Sequence, residues 1–194
     1  MRIIANFAAQ TFSGIFAGFL IAVLILELSM RDATAAVYTQ VRQIELEWLD
    51  VLATVTLLPA LIATALIIAT RFRDRTRWLP IIAFALLAGV LILTDIVNLP
   101  INADQRDWIV TMPPGDWATI RDRWQLSHAV RTVAATLAFA ALCAAQGTRR
   151  FATTHSATAS GDMSAPSTLS MTTRPTQIER ITRSVKASTS PHGK

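Results

Sequence analysis

A chain of 194 residues with 52% hydrophobic and 16% charged side chains, at a mean hydropathy of +0.42, is more apolar and less charged than a soluble domain. A single cysteine, Cys143, excludes an intramolecular disulfide, a CxxC redox pair and a cysteine-rich metal site. The net charge of +5 comes from arginines beside apolar runs and in the C-terminal stretch, so it reads as membrane orientation and no nucleic-acid partner is expected.

In chain order, residues 3–26 carry no charge over 24 positions, enough for a membrane span, which needs about 20 helical residues. Arg2 and Ala33-Thr34-Ala35 imitate a secretory signal, but the run is too long and the small-residue triplet too distant. Gly14 and Gly18 form a GxxxG, which suits close packing within a bundle. Beyond Glu27 a polar connection without glycine or proline reaches Asp50, and Val37, Val41, Ile44, Trp48 and Val51 recur through it at helical spacing. A second helix is therefore expected to begin outside the membrane and continue inward through the uncharged residues 51–70, kinked at Pro59.

Arg71, Arg73, Arg75 and Arg77 follow, opposed only by Asp74. Positive loops stay in the cytoplasm, so this loop and both chain termini are expected there, in the plasma membrane if the cell is bacterial; Arg2, Arg149 and Arg150 agree. The third and fourth helices each offer only 17 uncharged residues, 78–94 and 132–148. To span the bilayer they must draw Asp95, and Arg131 with His128, to the same interfacial depth, where Asp95 is expected to pair with Arg131. Pro113-Pro114-Gly115 makes a turn and Asp116 a helix cap, after which nothing interrupts a helix until Gly147. On that helix Arg121, Trp124, His128 and Arg131 form one stripe.

Such a stripe suits a bundle interior or a watery cavity better than lipid. Glu27, Asp50, Asp95, Asn98 and Asn102 fall at the same end of their helices, and together these residues suggest a polar pocket. From Gly147 onward 18 of the last 48 residues are Ser or Thr and large apolar side chains are scarce, so no core can form. The expected architecture is all-α: a four-transmembrane-helix bundle over 1–148 with two outer loops, and a disordered basic cytoplasmic tail over 149–194 able to touch anionic lipid.

The GxxxG of helix one, the apolar hairpin, Thr94, Asn98-Leu-Pro-Ile-Asn102, Trp108, Trp117, Arg121-Asp-Arg-Trp124 and His128-Ala-Val-Arg131 together resemble the anthrone oxygenase-like family over about residues 10–146. Many bacterial members are four-helix membrane proteins of unknown function. Fungal members oxidise anthrones to anthraquinones during polyketide synthesis without an evident metal or flavin, so the resemblance implies a small aromatic or quinol-type substrate, dioxygen, and neither metal nor cofactor.

An anthrone's acidic carbon requires a base and a cradle for the anion. His128, ordinarily near 6.5, is the side chain suited to proton transfer; Arg121 or Arg131 is suited to an oxyanion, and Asp95 to orienting His128 or neutralising Arg131. Trp117 and Trp124 are candidates to stack on a flat substrate, with Asn98 and Asn102 beside them in the pocket. Each has a structural reading as well: an aromatic belt, an ion pair, a helix end, a hydrogen-bonded core histidine. The alternative function is a non-enzymatic membrane binding or assembly module, with an apolar patch on its outer loops and Arg121 and Trp124 buried as struts.

Overall fold

The structure, a computed structural model, describes the backbone of residues 2–70 and 77–162 and the side chains of 3–70 and 77–147. The arginine-rich segment 71–76 and the tail from 163 lie outside the described residues, and with them the expectations made there. The chain falls into two units, Met1–Thr154 and His155–Lys194. The cavity and its side chains belong to the first; the second is helical up to Asp162.

The helices are α1 (Arg2–Ser29), α2 (Ala35–Leu46), α3 (Leu49–Thr70), α4 (Trp78–Leu93), α5 (Leu99–Arg106) and α6 (Trp117–Asp162); a π-helical segment, Thr94–Asn98, joins α4 to α5. Four stretches are long and apolar enough to cross a membrane: Ile3–Ser29, Leu49–Thr70, Trp78–Arg106 and Trp117–Gly147. The protein is thus an all-α integral membrane protein built on four spans. Phe16, Leu20, Ala60, Leu87, Ala135 and Ala138 are buried where the spans meet, and the several alanines let helices approach closely. A Cβ on Gly14 would stand 3.0 Å from the Phe139 ring, so this glycine admits α6; Gly18 has nothing within 4 Å of the same position. Ile15, Ile62, Leu66, Ile82, Ile92 and Val133 are exposed, as apolar residues facing lipid should be.

Three features go beyond the sequence reading. The second helix is two helices, broken at Glu47 and Trp48, where the amides reach back only three residues. The break lets α2 pack on α5 while α3 enters the apolar layer. Second, the apolar face of α2 points outward: Val37, Ile44 and Trp48 are exposed, whereas Tyr38, Thr39, Arg42, Glu45 and Leu46 are buried. Third, the third span does not end near Asp95. It passes through the π segment, where the Leu99 amide bonds the Thr94 carbonyl, and continues to Arg106. Pro100 is accommodated because it stands in the first turn of α5, where its missing N–H leaves no bond unmade. The span is therefore 29 residues long and Asp95 is not needed at its end.

Candidate functional site

The α6 stripe is real and turns inward. Arg121, Trp124, His128 and Arg131 are all buried, followed by Ala135, Ala138 and Leu142 on the same face. Helical spacing on a helix that continues unbroken from Trp117 through the bundle is sufficient cause.

At the α2 end of the bundle lies a cavity of about 230 Å3. Phe19, Leu20 and Val23 of α1 and Ala53, Leu57 and Leu58 of α3 form an apolar side. Trp124, His128 and Arg131 of α6, Asn102 of α5, Asp50 and Arg42 form a polar one.

His128 Nε2 lies 2.9 Å from the Leu20 carbonyl oxygen. That oxygen can only accept, so the ring proton sits on Nε2 and Nδ1 keeps its lone pair. Nδ1 is buried and has no hydrogen-bond partner among the described residues. The imidazole stacks on Trp124 with ring centroids 4.7 Å apart and planes 7° from parallel, as residues four apart on one helix face can. Arg131, only 5% exposed, has no hydrogen bond or ion pair among the described residues, and its Nε is unsatisfied.

The expected pair of Asp95 with Arg131 is not formed. Asp95 is exposed at the cavity rim, because the π segment carries it off the face that meets α6.

The charge network that is formed centres on Arg42, 1% exposed. Its Nη1 lies 3.0 Å from Glu27 Oε1 and 2.7 Å from Glu45 Oε2; Nε donates to Gln105 Oε1 at 3.0 Å and Nη2 to Asn102 Oδ1 at 3.1 Å. The guanidinium also stands 4.2 Å from the Trp124 ring centroid. Gln125 Nε2 donates to both the backbone and side-chain oxygens of Glu27. Asn102 is a hub, accepting from Trp124 Nε1 at 2.7 Å and donating to Asp50 Oδ1 at 2.9 Å; Asp50 pairs in turn with Arg106. Arg131 touches no carboxylate among the described residues, and Asp50, which lines the same cavity, is the carboxylate that acts on it.

The remaining candidates stand apart from the cavity. Asn98 is fully buried and its Oδ1 accepts from Ser127 Oγ at 2.7 Å. Arg121 donates through Nη1 to the Arg31 carbonyl and through Nε and Nη2 to Asp122. Trp117 is half-buried between Tyr38 and Arg121. Among the described residues no group of three or more His, Cys, Asp and Glu side chains is placed to hold a metal ion.

Sequence reasoning missed Arg42, Glu45, Gln105 and Gln125. The signal was present: Tyr38, Arg42, Glu45 and Leu46 also recur at helical spacing. It was outweighed by the apolar stripe on the other side of the same helix.

Near Tyr38, outside the spans, burial raises the phenol's pKa well above its ordinary value; the Glu27 carboxylate adds to this, while Arg42 and the Gln105 hydrogen bond oppose it.

Fold and site define an integral membrane four-helix bundle whose polar side chains converge on a cavity at one end. The family model described as Anthrone oxygenase matches residues 48–141, which places that stretch in the anthrone oxygenase-like family. The match includes Asn102, Trp124, His128 and Arg131 but not Glu27 or Arg42. No curated protein and no solved structure matched the chain.

Proposed function

We propose that this protein is a membrane oxygenase that removes a proton from an acidic C–H of a small aromatic or quinol-type substrate and lets the resulting anion react with dioxygen. One observation carries the reading: a histidine with a free lone pair and an arginine in direct contact with no carboxylate among the described residues line the same cavity. His128 Nδ1 is the base, and the Leu20 carbonyl fixes the tautomer and supports the charge the ring acquires. Arg131, three residues along α6, stabilises the substrate anion. A cavity of about 230 Å3 suits a molecule smaller than the drug-sized ligands that fill roughly 300 to 1,000 Å3.

For a substrate R2CH2 the atoms balance without another oxidant. Loss of a proton to His128 gives R2CH−, which adds dioxygen to form R2CHOO−. The proton returns to give the hydroperoxide, and loss of water leaves R2C=O. Dioxygen, being apolar, is enriched in the lipid around the site.

The arginines at 71, 73, 75 and 77 support a cytoplasmic position for their loop and, with four spans, for both termini; the cavity end then faces the opposite compartment.

The test is oxygen uptake by the purified protein in detergent with an anthrone. His128→Ala and Arg131→Ala should each lower uptake by about 100-fold or more. Uptake unchanged in a folded His128→Ala protein would overturn the proposal. A second reading, a module that holds a partner protein, draws on the exposed Ile109 and Met112, bridged at the tip of the loop between α5 and α6.

A further inference from the structure

The exposed residues around the cavity are confined to one side. The lining residues contributed by α1, α2 and α6 are buried or half-buried. The exposed ones are Thr54 and Leu58 on α3 and Asp95 and Leu99 on the stretch from the π segment into α5, with Leu58 42% and Leu99 40% exposed. The cavity therefore opens sideways, between α3 and the third span.

That opening lies within the spans. Leu58 is nine residues from the start of α3 at Leu49, about 14 Å along the helix, and Leu99 is seven residues from the end of α5 at Arg106, about 10 Å. Thr54, five residues from Leu49, lies about 8 Å in and Asp95, eleven residues from Arg106, about 16 Å, so in a hydrocarbon layer of about 30 Å Thr54 is nearest the interface and Leu58 and Asp95 are deep. Each lip carries one polar and one apolar side chain, Thr54 with Leu58 and Asp95 with Leu99.

The α2 end is closed by contrast. Arg42, Leu46 and Asn102 are buried there. Arg106 ties that end together, pairing with Asp50 of α3 and donating to the Leu46 carbonyl of α2, while Gln43 of α2 donates to the Arg106 and Trp108 carbonyls.

We infer that the cavity is filled from the bilayer, through a portal framed by Thr54, Leu58, Asp95 and Leu99, and that its ligand is a lipid-dissolved amphiphile with an aromatic body and one polar group. Leu58 and Leu99 pass the ring system, and the Thr54 hydroxyl can hydrogen-bond the group that must reach Arg131. Water-soluble molecules of the same size meet the closed α2 end. The inference rests on the cavity being the ligand site, as in the proposed function, but not on turnover.

The probe is anthracene-9-carboxylate, added to phosphatidylcholine vesicles holding the full-length protein. Its arrival is followed by energy transfer from tryptophan, of which Trp124 lines the cavity. Narrowing the portal with Leu58→Phe plus Leu99→Phe should slow arrival about tenfold at unchanged final occupancy, and Leu99→Ala should hasten it. Arg106→Ala, which loosens the α2 end, should leave the rate as in wild type. The widened variant guards against misfolding, since a damaged protein does not fill faster. The inference is overturned if the rim variants leave the rate unchanged, if Arg106→Ala alone accelerates it, or if the probe does not bind the wild type. Binding through the portal without oxygen uptake would remove the oxygenase reading and leave this one standing.

Discussion

Arg42 shows how much depends on one side chain in this bundle. Among the described residues it is the only cation in contact with two buried carboxylates, Glu27 and Glu45, and it also holds Gln105 and Asn102. Removing it leaves two uncompensated charges, so Arg42→Met should destabilise the protein by about 3 to 5 kcal/mol, seen as a lower thermal midpoint in detergent. Adding Glu45→Gln should recover part of the loss. Tyr38 allows a second measurement because it is the only tyrosine. With its pKa raised in the fold, the phenol ionises only after unfolding at pH values just above the ordinary value of about 10. The stability it contributes is complete below that pH and falls as pH rises beyond it. Phenolate absorbance should therefore stay absent in the folded protein at mildly alkaline pH and appear on denaturation. At this scale His128, Arg131 and Trp124 were legible because they share a face of one uninterrupted helix. Arg42 was not, because its partners Glu27, Gln105 and Asn102 come from other helices.

Among elements, α2 carries the clearest lesson. Apolar spacing in an aqueous protein marks the buried face, but at a membrane surface lipid competes for it. Val37, Ile44 and Trp48 face outward and Arg42 and Glu45 face in, so the periodicity located the helix without saying which side is buried. The GxxxG of α1 divides similarly. Gly14→Val should cost about 1 to 3 kcal/mol by forcing Phe139 aside, whereas Gly18→Val should leave the thermal midpoint unchanged. Spacing alone gives both glycines the same part; only the position of α6 separates them. The third span is a further case. Its 17 uncharged residues suggested a short helix, yet the π segment carries it past Asp95 and Pro100 and delivers Asn102 to the cavity.

For the whole molecule, the topology is open to a direct test. With Cys143 replaced by serine, a cysteine at Gly115 should react with a membrane-impermeant maleimide in intact cells, and one at Arg77 only after lysis. The reverse pattern would invert the assignment drawn from the arginines. Composition and hydrophobic run length by themselves determined the four spans, because a bilayer demands about 20 apolar residues whatever the neighbours are. The α6 stripe and the motif pattern around it were equally available, since both are properties of one segment read along its own axis. Tertiary structure alone decided which charges pair, which face of α2 is buried, and on which side the cavity opens. Those depend on distances between helices far apart in the chain, where a carboxylate 3.0 Å from Arg42 is a partner and one on the far side of a π turn is not.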